Sequence, residues 1–262
     1  MTRSVVCGAN GFFMKTDLKK QEINVQDHVA QHYEDMRYRL SHSRRYHLWW
    51  TTEMLKGTKD TGLWLDLGCG TGWNLSVLQL LEHKRKAIGI DLSDGMLRLA
   101  REKNLNVIRG DAQQLPFRDA SFDGILAKGV LHHLSDVEKA VAEITRVLKP
   151  GGIAVMVDPN PSLLRKFQTL LKNREEHFSH LHRSIPPAEY KPIISRYLQI
   201  IDFRYFGLLA YPMAFPDILP LKGFLRLNDI MIQPLIRLDK LAARLPFAQW
   251  LCWAYMLTGR KK

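Results

Sequence analysis

Leu63-Trp-Leu-Asp-Leu-Gly-Cys-Gly-Thr-Gly72 decides the architecture of this chain. Its first half is a short apolar run interrupted only by Asp66, and its second half alternates glycine with small residues. A run of that length ending in glycines reads as a buried strand that delivers the chain into a tight turn. Trp73 to His83 follows with leucines at helical spacing, so the turn opens a helix. Downstream the alternation repeats. Ala87–Leu92, Val107–Ala112, Phe122–Ala127 and Ile153–Val157 read as strands. Ser93 is placed to cap a helix to about Lys103, and Ser135 one that runs through Leu148 until Lys149-Pro-Gly-Gly152 stops it. Strands spaced by helices imply a mostly parallel sheet covered on both faces, with ligands beyond the C-terminal strand ends.

Three strand ends on that edge carry a carboxylate: Asp66 before the glycine turn, Asp91 in Gly89-Ile-Asp91, and Asp111 in Gly110-Asp-Ala112. The turn is G-x-G-x-G, not the G-x-G-x-x-G of a dinucleotide site. A pyrophosphate disfavours a carboxylate so close, whereas an ammonium group favours it. An acidic side chain ending the second strand can hold both hydroxyls of a ribose. One ending the third can accept from an adenine amino group. Together they describe a ligand with an amine, a ribose diol and an adenine, and no phosphate.

These segments, with Ser121-Phe-Asp123, Leu131-His-His-Leu134 and Arg146-Val-Leu-Lys-Pro-Gly-Gly152, closely resemble the class I S-adenosylmethionine-dependent methyltransferases, in particular the type 11 methyltransferase domain. The resemblance covers about residues 60–160. It implies an α/β, Rossmann-like sheet, mostly parallel with its last strand antiparallel, and S-adenosyl-L-methionine as cofactor. It also implies Asp66 and the turn (Gly68, Cys69, Gly70, Gly72) beside the methionine part, Asp91 with Leu92 and Met96 along the ribose, and Asp111 with Ala112 around the adenine. Lys128 and, from a helical lid over Asp27–Tyr33, Tyr33 complete the expected cofactor side. Cys69 reads as a small buried residue, Asp123 as a group fixing the start of its strand, and Val29, Tyr33 and Met36 equally as the packing of a surface helix. The acceptor-side candidates are His132, His133 and Asp158; the histidines serve either as a base or as structural hydrogen-bonding groups, and Asp158 equally as a turn residue before Pro159.

Three regions differ in texture: a polar, aromatic segment (1–60) expected to be helical, the cofactor-binding core (61–160), and an apolar, basic, proline-rich remainder (161–262). Val5 to Met14 reads as a flexible lead-in, and His177, His180 and His182 as a solvated linker with nothing to complete a metal site. In the remainder, Ile201–Tyr211 and Trp250–Leu257 read as the last strands, with a helical insertion at about 212–245 that Pro234 divides into two helices. Phe215, Ile218, Leu221 and Phe224 are its expected pocket walls.

At 46% hydrophobic and 24% charged the chain is globular and not disordered. Three scattered cysteines exclude a disulfide framework and favour a reducing, cytoplasmic setting. No run reaches the roughly 18 apolar residues of a spanning helix. The net charge is +12, and residues 221–262 carry eight Lys and Arg against two Asp. That stretch reads either as a cap over the acceptor or as a contact with an anionic membrane surface. The expected function is methyl transfer to a small-molecule or lipid-like acceptor. The alternatives are an RNA methyltransferase, disfavoured because no RNA-binding module is recognisable, and a non-catalytic cofactor-binding module.

Overall fold

The computed structural model describes residues 9–81, 84–171, 184–215 and 225–262. Two helices, α1 (Ala9–Tyr38) and α2 (Ser41–Leu55), precede the sheet. Then come β1 (Thr61–Leu67), α3 (Trp73–Leu80), β2 (Lys84–Asp91), α4 (Asp94–Glu102), β3 (Val107–Arg109), β4 (Phe122–Lys128), a short 3-10 turn (Leu131–His133), α5 (Val137–Val147) and β5 (Leu148–Pro159). The last part contains α6 (Leu163–Leu171), α7 (Pro187–Tyr197), β6 (Gln199–Phe206), α8 (Ala210–Ala214), α9 (Leu225–Ala242), α10 (Ala248–Leu251) and β7 (Ala254–Arg260). Among the described residues, seven strands form one sheet in the order β3-β2-β1-β4-β5-β7-β6. β1 to β5 pair in parallel, and β7 runs antiparallel between β5 and β6.

The sheet separates two cores. Side chains of successive strand residues point to opposite faces. Leu65, Leu67, Ile125, Ala127, Ala154 and Met156 therefore meet α5 and α7 on one face. Trp64, Leu126, Val155 and Val157 meet α2, α8 and α9 on the other. β1 approaches β4 closely because Gly124 stands opposite Trp64, where a Cβ would lie only 2.4 Å from the indole ring.

Several boundaries differ from those expected. α1 begins at Ala9, so the lead-in is helical from that residue. β3 ends at Arg109, because Asp111 leaves the ladder and makes an isolated bridge to Gln114. The cap of α5 is Asp136, not Ser135: its carboxylate accepts from the Lys139 N–H at 3.1 Å, while the Ser135 hydroxyl bonds Gln113. Lys149-Pro-Gly-Gly152 is no connection but the opening of β5, with Leu148 paired to Phe122 and a register shift before Gly124. β6 ends at Phe206, and Trp250 and Leu251, expected to begin β7, belong to the helix α10. Pro234 does not divide α9. It sits on the exposed side, where the carbonyl that loses its partner can be hydrated.

Candidate active site

The C-terminal edge of the sheet gathers the three carboxylates into different environments. Asp66 is 1% exposed. Its Oδ1 accepts from Asn74 Nδ2 at 2.9 Å, and Asn74 in turn accepts from the Thr51 hydroxyl at 2.9 Å. Oδ2 is buried with no hydrogen-bond partner among the described residues. Burial pushes this carboxyl up to about 7, against the pull of Asn74 and of Lys128. Buried polar atoms nearly always have partners, so Oδ2 marks a place for a donor.

Asp91 is fixed by backbone alone: Oδ2 accepts from Gly70 N at 2.8 Å and Oδ1 from Ser93 N at 2.9 Å. Each oxygen keeps a further lone pair. Burial raises its pKa, offset by these N–H groups. Burial, with a smaller contribution from the nearby Asp91 carboxylate, raises the Tyr33 phenol above its ordinary value and keeps it neutral. Asp111 is already paired, with Lys19 Nζ 2.7 Å from Oδ2 and the Gln113 N–H 2.9 Å from Oδ1. Burial works to raise its pKa, but these partners outweigh it and hold it below the usual range.

The three turn glycines have positive φ but different surroundings. A Cβ on Gly68 would strike Val130 at 2.3 Å, and one on Gly72 would strike Leu105 at 2.2 Å. Both are dictated by packing. A Cβ on Gly70 would meet nothing within 4 Å, so this is the residue whose backbone is open to a ligand. Cys69 packs with Leu75, Leu97 and Leu105, and burial pushes its thiol well above the ordinary value. A thiol held protonated is not a nucleophile. Met96 is buried against Val29 and Ala30 beneath α1, Leu92 is half-buried, and Ala112 packs on the α5 face.

α1 lies along this edge. Asp27 accepts from Gly95 N at 2.9 Å and from the Ser93 hydroxyl, which itself caps α4 through Met96 N. Glu22 pairs with His133 at 3.0 Å. Asp27 thus ties the Asp27–Tyr33 segment to the end of β2, and Glu22, earlier on α1, meets the 3-10 turn after β4.

The acceptor-side candidates divide between the faces. Asp158 shares the face of Ala154 and Met156, and its Oδ1 is 2.6 Å from His132 Nδ1, both groups buried. Burial pushes the Asp158 carboxyl well up. By strand alternation Asp66 and Lys128 lie on the opposite face, with Trp64 and Leu126. His133 turns its Nδ1 to Glu22 and lies with its ring 4.1 Å from that of His132.

On the Asp66 face, aromatic side chains gather around Lys128. Its Nζ is 3.3 Å from His47 Nδ1 and 4.8 Å over the Trp50 ring. His47 stacks on Trp50 and meets Tyr38, Trp73 and Phe215 edge-on. Tyr38 stacks on Trp73 at 4.2 Å. Sequence reading missed His47, Trp50 and Asn74; the Trp-Asn pair directly after the glycine turn was the available signal for Asn74. Phe215 is 4% exposed and packs edge-on against His47, while Ile218, Leu221 and Phe224, like the histidine group at 177–182, lie outside the described residues. Asp239 of α9, 1% exposed, accepts from Leu209 N and Ala210 N and so seats α8 with Phe215 behind it. A depression lined by Glu53, Gly57, Ile153 and Thr258 opens at the other end of the strands, where Arg204 and Lys240 pair with Glu53.

Residues 65–156 match a methyltransferase domain family. Over 229 residues, 82% of this chain and 88% of the relative, the sequence is 28% identical to the demethylmenaquinone methyltransferase of Staphylococcus epidermidis. It is 31% identical over 160 residues, 58% of this chain, to the enzyme of that name from Staphylococcus aureus, of which 66% is covered. A Thermotoga maritima protein, an S-adenosylmethionine-dependent methyltransferase described as a possible histamine N-methyltransferase, superposes with a TM-score of 0.63 at 21% identity, covering 92% of this chain and all of that one. The [4+2]-cyclase SpnF superposes with a TM-score of 0.58 at 22% identity, covering 84% and 80%. The family match, the strand order and the strand-end carboxylates agree: residues 65–156 form a methyltransferase domain of the class I, S-adenosylmethionine-dependent kind.

Proposed function

We propose that the enzyme transfers the methyl group of S-adenosylmethionine to a small, aromatic, lipid-like acceptor of the quinol type. The observation that carries this reading is the aromatic group around Lys128, which adjoins Asp66. Flat side chains such as Trp50, Trp73 and Phe215 suit a ring-bearing acceptor, and the demethylmenaquinone methyltransferases among the relatives point the same way.

The residues present fit the cofactor. Asp66 Oδ2 offers an unmet acceptor for its ammonium, Gly70 leaves room for close backbone approach, and Asp91 has lone pairs for two hydroxyls. When bound, the cofactor supplies an electrophilic methyl carbon. The chain's own part is to fix the acceptor in line with that carbon and exclude water, and such positioning lowers the barrier substantially. Incubation with methyl-labelled cofactor tests the reading. Label should appear in the lipid extract when reduced demethylmenaquinone is supplied. Label recovered in added tRNA, or in no acceptor, would overturn it.

The acceptor's lipid character gives the apolar outer surface a role in this reading. Phe167 is 60% exposed on α6, and Trp250 is 60% exposed on the neighbouring α10. Leu238 and Leu241 are exposed on α9, with Lys166, Arg237 and Arg244 exposed among these helices. Among the described residues no helix is long and apolar enough to cross a membrane. The enzyme docks this surface on anionic lipid, through the aromatic and leucine side chains and the basic rim. Each basic residue near such a surface contributes about 1 kcal/mol, so changing Lys166, Arg237 and Arg244 to Gln should weaken binding to phosphatidylglycerol vesicles by roughly 100-fold. Equal sedimentation of wild type with phosphatidylcholine and phosphatidylglycerol vesicles would remove the electrostatic contribution.

A further inference from the structure

Lys128 brings an amine into the aromatic cluster, and the cluster has hydrogen-bonding capacity that the described residues leave unused. His47 is 3% exposed, and its Nε2 has no hydrogen-bond partner among the described residues. The same holds for Trp50 Nε1 and Trp73 Nε1, on rings in direct contact with His47. Three unmet nitrogens on one cluster of contacting rings, beside a mostly buried amine, leave hydrogen-bonding capacity that a polar ligand atom could take up.

We propose that Lys128 and His47 form the subsite that receives the hydroxyl group of an aromatic acceptor and takes its proton. The proposal rests on the aromatic-acceptor reading above and adds which residues handle its oxygen. The acceptor's O–H bond breaks, an N–H bond forms on Lys128 Nζ, and the electron pair stays on oxygen, spread into the ring. The anion is then the electron-rich partner for methyl transfer. His47 is a positioning residue, its Nδ1 placed to accept a hydrogen bond from the ammonium that forms.

The charges around the amine suit this task. Asp66 on β1 favours the ammonium, whereas burial and Arg37 on α1 favour the neutral amine; burial dominates and holds Lys128 down at about 7. Burial, then Lys128 and Arg37, likewise lowers His47 well below its ordinary value, so the imidazole stays neutral and able to accept. An amine poised near the working pH is the efficient choice for a proton acceptor. The His132–Asp158 pair, on the other face of the sheet, takes no part.

The test uses the whole chain saturated with S-adenosylhomocysteine and 1-naphthol as probe, whose anion absorbs at longer wavelength than the neutral form. Wild type should bind the probe and show the naphtholate band near neutral pH, where free 1-naphthol is un-ionised. Lys128→Met should lose the band and bind about 10- to 100-fold more weakly, the effect of one charged hydrogen bond. His47→Asn should retain the band but move its appearance to higher pH. Circular dichroism checks folding, and Lys128→Gln serves the same comparison should the Met variant not fold. A neutral probe bound equally by wild type and the Lys128 variants would overturn the subsite and leave the aromatic-acceptor reading standing. Weakened S-adenosylhomocysteine binding with an unaltered naphtholate band would also overturn it, placing Lys128 on the cofactor instead. Failure of wild type to bind the probe at all would overturn both readings.

Discussion

Asp91→Ala is expected to weaken S-adenosylmethionine binding more than any other single change at the strand ends. The carboxylate is oriented by Gly70 N and Ser93 N, so its free lone pairs are held in place before a ligand arrives. Charged hydrogen bonds contribute about 1.5–3 kcal/mol each, and loss of two costs about 3–6 kcal/mol, or 100- to 10,000-fold in affinity. The substitution also releases the Gly70 and Ser93 N–H groups and loosens the turn that presents Gly70. Asp91→Asn separates the effects, since its single amide oxygen can keep only one of those backbone contacts; an intermediate loss is expected. Titration calorimetry reads both. Affinity unchanged in the alanine variant would remove Asp91 from the ribose role.

The second large effect concerns stability. Asp158→Ala should cost about 1–3 kcal/mol, the usual result of removing one half of a buried hydrogen bond. The Asp158–His132 contact ties the 3-10 turn after β4 to the end of β5, and both groups are buried. We assign the pair to positioning that loop. Replacing both residues with Leu should restore much of the loss, because apolar groups of similar size need no partner. Urea unfolding of the two singles and the double gives the coupling energy directly. The decisive reading is turnover: a double variant that unfolds like wild type yet transfers no methyl group would make the pair catalytic and end the positioning assignment.

The parallel core was legible because its signals are local. A strand run into G-x-G-x-G, the Ser93 cap and the spaced carboxylates each lie within a few residues of one another, and the structure keeps them in that order. What escaped depends on contacts remote in sequence. Asn74 and Thr51 are 23 residues apart and bond each other below Asp66. His47 and Lys128 are 81 apart and meet only because α2 crosses the ends of β1 and β4. His132 and Asp158 read as acceptor-side candidates beside a cofactor side that includes Lys128. Residue alternation on β4 and β5 sets them on the other face, a distinction that needs the strand register. The boundaries of β6, β7 and α9 were harder for another reason. Apolar residues line both strand and helix in that region, and the solvent-facing side of Pro234 cannot be read from its neighbours in sequence.

The strand order also has a consequence for how the protein is made. Of these seven strands β7 is synthesised last, yet it is inserted between β5 and β6. Among the described residues β6 has no other neighbour in the sheet, so a nascent chain that has emerged through Phe206 carries that strand without its β7 partner. The outer side of β5 is open over the same interval. Both edges wait for residues 254–260, delivered from the ribosome at about 5–20 residues per second. During those seconds two unpaired ladders, with Ile200 and Phe203 on one and Val155 and Val157 on the other, are templates for intermolecular pairing. Slower translation beyond Phe206 should therefore lower the soluble yield of this enzyme, and a chaperone that shields strand edges should raise it.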